Sequence, residues 1–244
     1  MWAHWRHGEV TPDPETKLGK WLTVGLMRAR FLETAAQSLD AMDAMAGYEC
    51  FGGSGVGNSE PLALWAPGGG ATVFPNGTGL LLNGGRHVVV QIHYNLIAGT
   101  YPDRTRVNMT TNSTGTTTRA YFAPILDSNL QLPPGMANVS ASDTTSLASL
   151  PIPVRIYGAA PHMHTLGRSL RVETTGTTPR CIVDTPRWDF HWQGIWWYDT
   201  PVRVSPSDTL RITCNYDTTG RTSDTHWGES TSDEMCLTYF YVAP

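Results

Sequence analysis

From Tyr48 onward the chain is a succession of short β-branched and aromatic runs, each cut off within a few residues by Gly, Pro, Asn or Asp. Runs cut this often are too short for stable helices but suit strands joined by tight turns. The pattern predicts strands at 62–65, 79–82, 87–95, 106–111, 119–123, 154–159, 169–174, 180–184, 196–204, 209–216 and 237–242, with a further one at 22–26. Asn83-Gly84 is a hairpin signal, and Pro133-Pro134-Gly135 is a turn. One segment reads differently. Residues 33–46 place Ala36, Leu39 and Met42 at helical spacing before Gly47, which predicts a short amphipathic helix with a core-facing stripe. The expected fold class is all-β, an antiparallel β-sandwich. The polar run TNSTGTTTR at 111–119 marks a boundary between a domain at 1–117 and another at 118–244.

Within this framework Pro161-His162-Met163-His164-Thr165-Leu166-Gly167 carries the chemistry. Residues i and i+2 of a strand point to one face, so both imidazoles are aimed at one point. That is half of a metal site. Position 168 is Arg and the next acid is Glu173, too far along to complete a two-His-one-carboxylate iron site. Met235, in ESTSDEMC at 229–236, offers a thioether, a soft ligand that favours Cu(I) over zinc. A buried Met taken alone is ordinarily core, so the flanking sequence has to decide.

Charge narrows the partners. The net charge of −4 and pI near 6.0 provide no basic footprint for nucleic acid or an anionic membrane surface. No run of about 18 apolar residues is present, so no membrane-spanning helix is expected. Met1 to His7 is too polar for the apolar segment of a secretory leader. The glycines between Cys50 and Gly70 lack the Gly-Lys-Ser/Thr ending of a phosphate loop. Asn76, Asn108, Asn112 and Asn138 each open an N-glycosylation tripeptide, which a Thr-rich chain also produces by chance.

HYN at 93–95, PHMHTLG at 161–167, WDFHWQ at 188–193, CNYD at 214–217 and ESTSDEMC at 229–236 are specific as a set. Together they resemble the copper type II, ascorbate-dependent monooxygenases, the family of dopamine β-monooxygenase and peptidylglycine α-hydroxylating monooxygenase, and especially its bacterial members. The blocks follow the family's order across about residues 30–244. The resemblance implies two jelly-roll-like β-sandwiches, each holding one copper. It implies that His162, His164 and Met235 bind the copper where O₂ reacts and a C–H bond of a small organic substrate is hydroxylated. A second copper in the first domain, with His93 among its ligands, would store an electron from ascorbate. Cys214 and Cys236 would form a disulfide that pins the Met235 strand. A disulfide implies an oxidising compartment, so the expected location is secreted, extracellular or periplasmic.

The chain also departs from the family. The electron-storing site uses an adjacent His-His pair, where this sequence reads Leu26-Met27-Arg28-Ala29-Arg30-Phe31. His87 shares a strand face with His93 but stands ~20 Å from it, at about 3.3 Å per residue. His4 and His7 have the i, i+3 spacing of helix neighbours. The upstream cysteine that would pair with Cys50 is missing, which leaves Cys50 and Cys181 over. An N-terminally incomplete chain accounts for the absent leader, His pair and cysteine together. The other account is a member with a single working copper. In the peptide-amidating branch an Arg two positions before the first His, an Asn two after the Met and a Tyr four after it hold the substrate. Here Ala160, Leu237 and Tyr239 stand in those places. Only Tyr239 matches, and a peptide carboxylate would lack its bidentate clamp.

Other groups read more plainly. His191 and His226 are expected as hydrogen-bonded loop residues. Trp188, Trp192, Trp196 and Trp197 are expected to pack the second sandwich rather than stack on sugars. Asp233 and Glu234 are expected to orient the Met235 loop. A competing function is a non-catalytic secreted β-sandwich that binds copper or a glycan.

Overall fold

The computed structural model describes residues 2–3, 22–29, 38–39, 41–42, 48, 59–65, 70–82, 88–94, 105–112 and 117–244. The chain divides into two compact units, Met1–Arg119 and Ala120–Pro244. Among the described residues every strand ladder is antiparallel. Among the described residues no helix is long and apolar enough to cross a membrane.

The first unit contains β1 (Trp2–Ala3), β2 (Leu22–Ala29), β3 (Ser59–Trp65), β4 (Thr78–Leu81), β5 (Val88–Tyr94) and β6 (Thr111–Asn112). Strand β2 is central in the sheet β3-β2-β5, with Leu26 opposite Ala63 on one side and Val90 on the other. Strand β1 pairs with β4 and β6. Two expectations fail here. The strand predicted at 106–111 shrinks to Thr111–Asn112, because residues 106 and 108–110 are exposed and offer no apolar face to bury. Ser38 and Leu39 are helical, but residues 41 and 42 form a turn, and Met42 is 79% exposed rather than core-facing. The turn breaks the spacing that would have kept Met42 on the face of Leu39. The rest of 33–46, the Asn83-Gly84 turn and His87 lie outside the described residues.

The second unit contains β7 (Thr118–Leu126), β8 (Gln131–Leu132), β9 (Val139–Ser146), β10 (Val154–His162), β11 (Gly167–Thr174), β12 (Cys181–Thr185), β13 (Trp196–Val204), β14 (Thr209–Tyr216), β15 (Thr225–His226) and β16 (Leu237–Ala243). One sheet runs β13-β10-β16-β7 and the other β12-β11-β14-β9. Strict alternation makes the inner faces legible. Leu210, Ile212, Cys214 and Tyr216 point inward from β14, and Leu170, Val172 and Thr174 from β11. The apolar ones meet Ile125, Ile156, Ala159 and Phe240 of the opposite sheet, and Met163 just beyond β10, in one core. Each such aliphatic or aromatic side chain contributes about 1.5–3 kcal/mol on burial. Strand β9 has no counterpart in the predicted pattern. Of its residues only Val139 is buried, and its register is held by backbone pairing to β14 from Val139↔Tyr216 to Ser146↔Thr209. A polar edge strand of this kind carries no hydrophobic alternation to read.

A bulge in β10 aims the histidines. Pairing with both β13 and β16 shifts register between Ile156 and Gly158. Ile156 faces the core before the bulge; Ala159 and Met163 face it afterwards. Ala160 and His162 are thereby turned to the outer face, where unbroken alternation from Ile156 would have put His162 inside. Gly158 is required at this point. A Cβ there would lie 2.6 Å from Trp197 Cε3 and 2.8 Å from the Trp196 carbonyl oxygen.

Candidate metal centre

The two histidines stand at the end of β10. Pro161 pairs with Thr238 and His162 with Leu237, and the ladder stops there. His164 therefore lies beyond the strand rather than on it. Its place is held by other bonds. Its carbonyl accepts the Trp188 indole N–H at 3.1 Å and the Gly167 N–H at 3.4 Å. Its own Nδ1 lies 3.0 Å from the Asp233 carbonyl oxygen. A carbonyl only accepts, so Nδ1 carries the hydrogen and the neutral ring keeps its lone pair on Nε2. The His162 Nδ1 lies 2.6 Å from Gln193 Oε1. The two rings are 5.2 Å apart between centroids, with planes at 83°. Two imidazoles binding one ion through nitrogens at about 2.0 Å stand about 5 Å apart between centroids at a tetrahedral angle. The spacing fits a shared ion.

The predicted third donor, Met235, lies in the ESTSDEMC segment, and one side chain ties the backbone of that segment to the histidine segment. Glu234 is fully buried. Its Oε2 accepts from the backbone N–H groups of His164 at 2.9 Å and Met235 at 3.2 Å, and its Oε1 from that of Leu166 at 2.6 Å. Met235 is 8% exposed. Its carbonyl accepts the Tyr216 hydroxyl at 3.0 Å. The next residue, Cys236, is bonded to Cys214 of β14, with a Cα–Cα distance of 5.8 Å. Backbone that carries a weak thioether donor is thus anchored to both sheets. Among the described residues no three His, Cys, Asp or Glu side chains are grouped to hold an ion. Glu234 brings the backbone of the predicted thioether residue, Met235, beside the segment that carries the two imidazoles, and two imidazoles with a thioether would suit Cu(I).

The surroundings keep the donors in the right form. Burial pushes the His164 imidazole below its ordinary pKa, opposed by the Asp233 bond and by the carboxylates of Asp233 and Glu229. A neutral ring is the form that binds metal. Burial pushes the Glu234 carboxyl up to about 7, against the three backbone donors and Arg221. Tyr239 lies opposite Ala160, on the same outer face as His162. Burial raises its phenol, with Glu229 acting in the same direction, so it stays protonated and can donate a hydrogen bond.

The remaining predicted residues are distributed as follows. His93 lies in β5 opposite Thr23 of β2; its side chain lies outside the described residues, as do His4, His7 and Cys50. Cys181 is exposed and not disulfide-bonded. His191 is an exposed loop residue hydrogen-bonded to Asp189. His226 is exposed in β15, and its carbonyl accepts the Glu234 N–H. The tryptophans split. Trp188 packs against the core and Trp197 meets the Tyr241 ring at 5.3 Å, but Trp192 is 78% and Trp196 47% exposed. The expectation of uniform core packing fails for these two, because Trp192 sits in the 188–193 loop and Trp196 is the first residue of edge strand β13. Gln193, Phe190 and Tyr216 were not legible as contributors, since nothing in local spacing links them to residues 19 to 31 positions away.

Residues 123–244 match the family described as copper type II ascorbate-dependent monooxygenase, C-terminal domain. Three relatives are similar over most of the chain. A tyramine beta-hydroxylase of Caenorhabditis briggsae is 31% identical over 208 residues, 76% of this chain and 34% of that protein. DBH-like monooxygenase protein 1 of Gallus gallus is 26% identical over 74% of this chain and 32% of its own length. Peptidyl-glycine alpha-amidating monooxygenase A of Xenopus laevis is 27% identical over 79% of this chain and 21% of its own length. The chain thus spans from 21% to 34% of the lengths of these relatives.

Proposed function

This chain belongs to the copper type II ascorbate-dependent monooxygenase family, and from that premise we propose that its C-terminal domain, 118–244, takes up copper on His162, His164 and Met235. The observation that carries the reading is Glu234, whose single carboxylate binds the backbone of both ligand-bearing segments. The strand order of the second unit supports a jelly-roll path, with successive strands of the two sheets exchanged between them except for the β11–β12 hairpin. Copper, when bound, supplies the one-electron chemistry by which O₂ is used to hydroxylate a C–H bond, with ascorbate as reductant.

The chain's own residues prepare that chemistry. Glu234 and the Cys214–Cys236 bond hold the thioether segment at one distance from the imidazoles. Trp188 and Phe190 set their rings edge-on to His162 and His164, at 6.4 and 6.2 Å between centroids, and shield the donors from water. Tyr239 donates its phenol O–H to a substrate lying on the outer face beside His162. The substrate is a small organic molecule rather than a peptide C-terminus, because Ala160 offers no cation to a carboxylate. An electron-storing copper in the first domain, 1–117, would use His93, and with no His-His pair in this sequence to complete that site the coupled turnover of this chain is expected to be slow. The disulfide supports a secreted, extracellular or periplasmic location.

A second reading is a non-catalytic copper- or glycan-binding sandwich, favoured by the exposure of Trp192 and Trp196. Competition with a chromophoric Cu(I) chelator tests the first reading: His162→Ala and Met235→Ala each lose the bound ion, and retention in both sinks it. Ascorbate-driven O₂ uptake by the copper-loaded chain separates the two readings. No uptake together with glycan affinity selects the second.

A further inference from the structure

We propose that Gln193 is the positioning residue for His162, selecting the imidazole tautomer and ring direction that a copper ion requires; the proposal rests on the copper reading above. The geometry leaves the amide one orientation. Gln193 Nε2 donates to the Phe190 carbonyl at 2.7 Å. That carbonyl can only accept, so the amide nitrogen faces Phe190 and Oε1 faces the imidazole. Oε1 lies 2.6 Å from His162 Nδ1. An amide oxygen also only accepts, so Nδ1 carries the hydrogen and the neutral ring presents its lone pair at Nε2. A neutral histidine side chain free in water favours hydrogen on Nε2, so the bond performs a selection rather than recording one.

The loop that carries Gln193 is built to hold this bond in place. Trp188 N–H donates to the Arg168 carbonyl at 2.8 Å, and its indole N–H donates to His164 O at 3.1 Å. Trp192 N–H closes back on Asp189 O at 2.9 Å. Trp188 fits because residue 167 is glycine: a Cβ there would lie 2.7 Å from Trp188 Cδ1 and 2.9 Å from Met163 Cβ. The WDFHWQ loop therefore addresses both histidines, His164 through Trp188 and His162 through Gln193. Partners that fix a ligand's tautomer typically govern metal affinity by about 10- to 100-fold.

The test uses the full chain in three forms, wild type, Gln193→Leu and Gln193→Glu. Ring ¹⁵N shifts of His162 are read in the apoprotein at a pH where the ring is neutral, and Cu(I) affinity is read by chelator competition. Wild type shows hydrogen on Nδ1. Gln193→Leu, which keeps the shape but not the acceptor, moves the hydrogen to Nε2 and loses about 10- to 100-fold in Cu(I) affinity. Gln193→Glu gives up the donation to the Phe190 carbonyl but keeps an acceptor for His162 Nδ1, and so retains both the tautomer and the binding, which a loop held only by packing would not require. The Trp188 indole N–H resonance reports that the loop stays folded. Wild type with hydrogen on Nε2, or Gln193→Leu with unchanged Cu(I) affinity, overturns the proposal. His162→Ala is the separating control. If it keeps full affinity the copper reading itself fails, whereas its loss of copper beside an unaffected Gln193→Leu removes only the role of Gln193.

Discussion

Replacing Cys214 and Cys236 together by Ala separates the stability of the second unit from the placement of Met235. The bond closes a loop with a sequence separation of 22. Opening such a loop returns roughly 3.4 kcal/mol of conformational entropy to the denatured chain at 25 °C. Both cysteines are fully buried between the sheets, so the lost sulfurs add about 1 kcal/mol of cavity cost. For the unit Ala120–Pro244, with ~2.1 cal/mol/K of unfolding entropy per residue, the entropic part alone lowers Tm by about 13 °C. Calorimetry of the full chain measures this, with hydrogen exchange in β14 and β16 identifying the transition. The same variant binds Cu(I) more weakly, because Met235 keeps its bonds to Glu234 and Tyr216 but loses the link one residue away. A fall in Tm below about 3 °C refutes the stability reasoning. A full fall in Tm with unchanged Cu(I) affinity refutes the anchoring role.

Glu234→Ala leaves three backbone N–H groups without their acceptor, and at ~1 kcal/mol or more each the second unit loses at least about 3 kcal/mol in urea unfolding, together with Cu(I) affinity. Gly167→Ala and Gly158→Ala force a Cβ to 2.7 and 2.6 Å from the Trp188 and Trp197 rings, so each lowers stability by about 1–3 kcal/mol in the same assay. Burial raises the phenols of Tyr198, Tyr216 and Tyr239, so absorbance at 295 nm shows these three among the nine tyrosines ionising late, and fully only on unfolding. The sign follows: a raised folded pKa contributes stability that is complete below pH ~10 and is lost as pH rises above it. Arg168→Ala removes a solvent-exposed pair with Asp217 and changes stability by less than about 1 kcal/mol.

Strands with period-two alternation were legible, because burial acts on one face at a time. Leu210, Ile212, Cys214 and Tyr216 spell β14 directly. Strand β9 was not, because Ser140 to Ser146 satisfies backbone pairing without burying an apolar side. The bulge at Tyr157 was equally hidden; its one local sign is Gly158 inside a strand. Without it His162 would face the core, so the aim of the site depends on a feature that alternation alone predicts wrongly. The proposed ligands His162, His164 and Met235, and the observed Cys214–Cys236 bond, stand in motif blocks that the family pattern carries. Gln193 and Tyr216 reach the site across 31 and 19 residues, through contacts that only the folded sheets create. Met42, Trp192 and Trp196 show the reverse error, where composition suggested burial and the local turn, loop or edge left them exposed.

X-ray absorption of the Cu(I)-loaded chain tests the copper assignment most directly. The account predicts two imidazole nitrogens and one sulfur around the ion, with the sulfur absent in Met235→Ala and the imidazole signal reduced in His162→Ala. A wild-type spectrum without sulfur, or one unchanged by Met235→Ala, contradicts it.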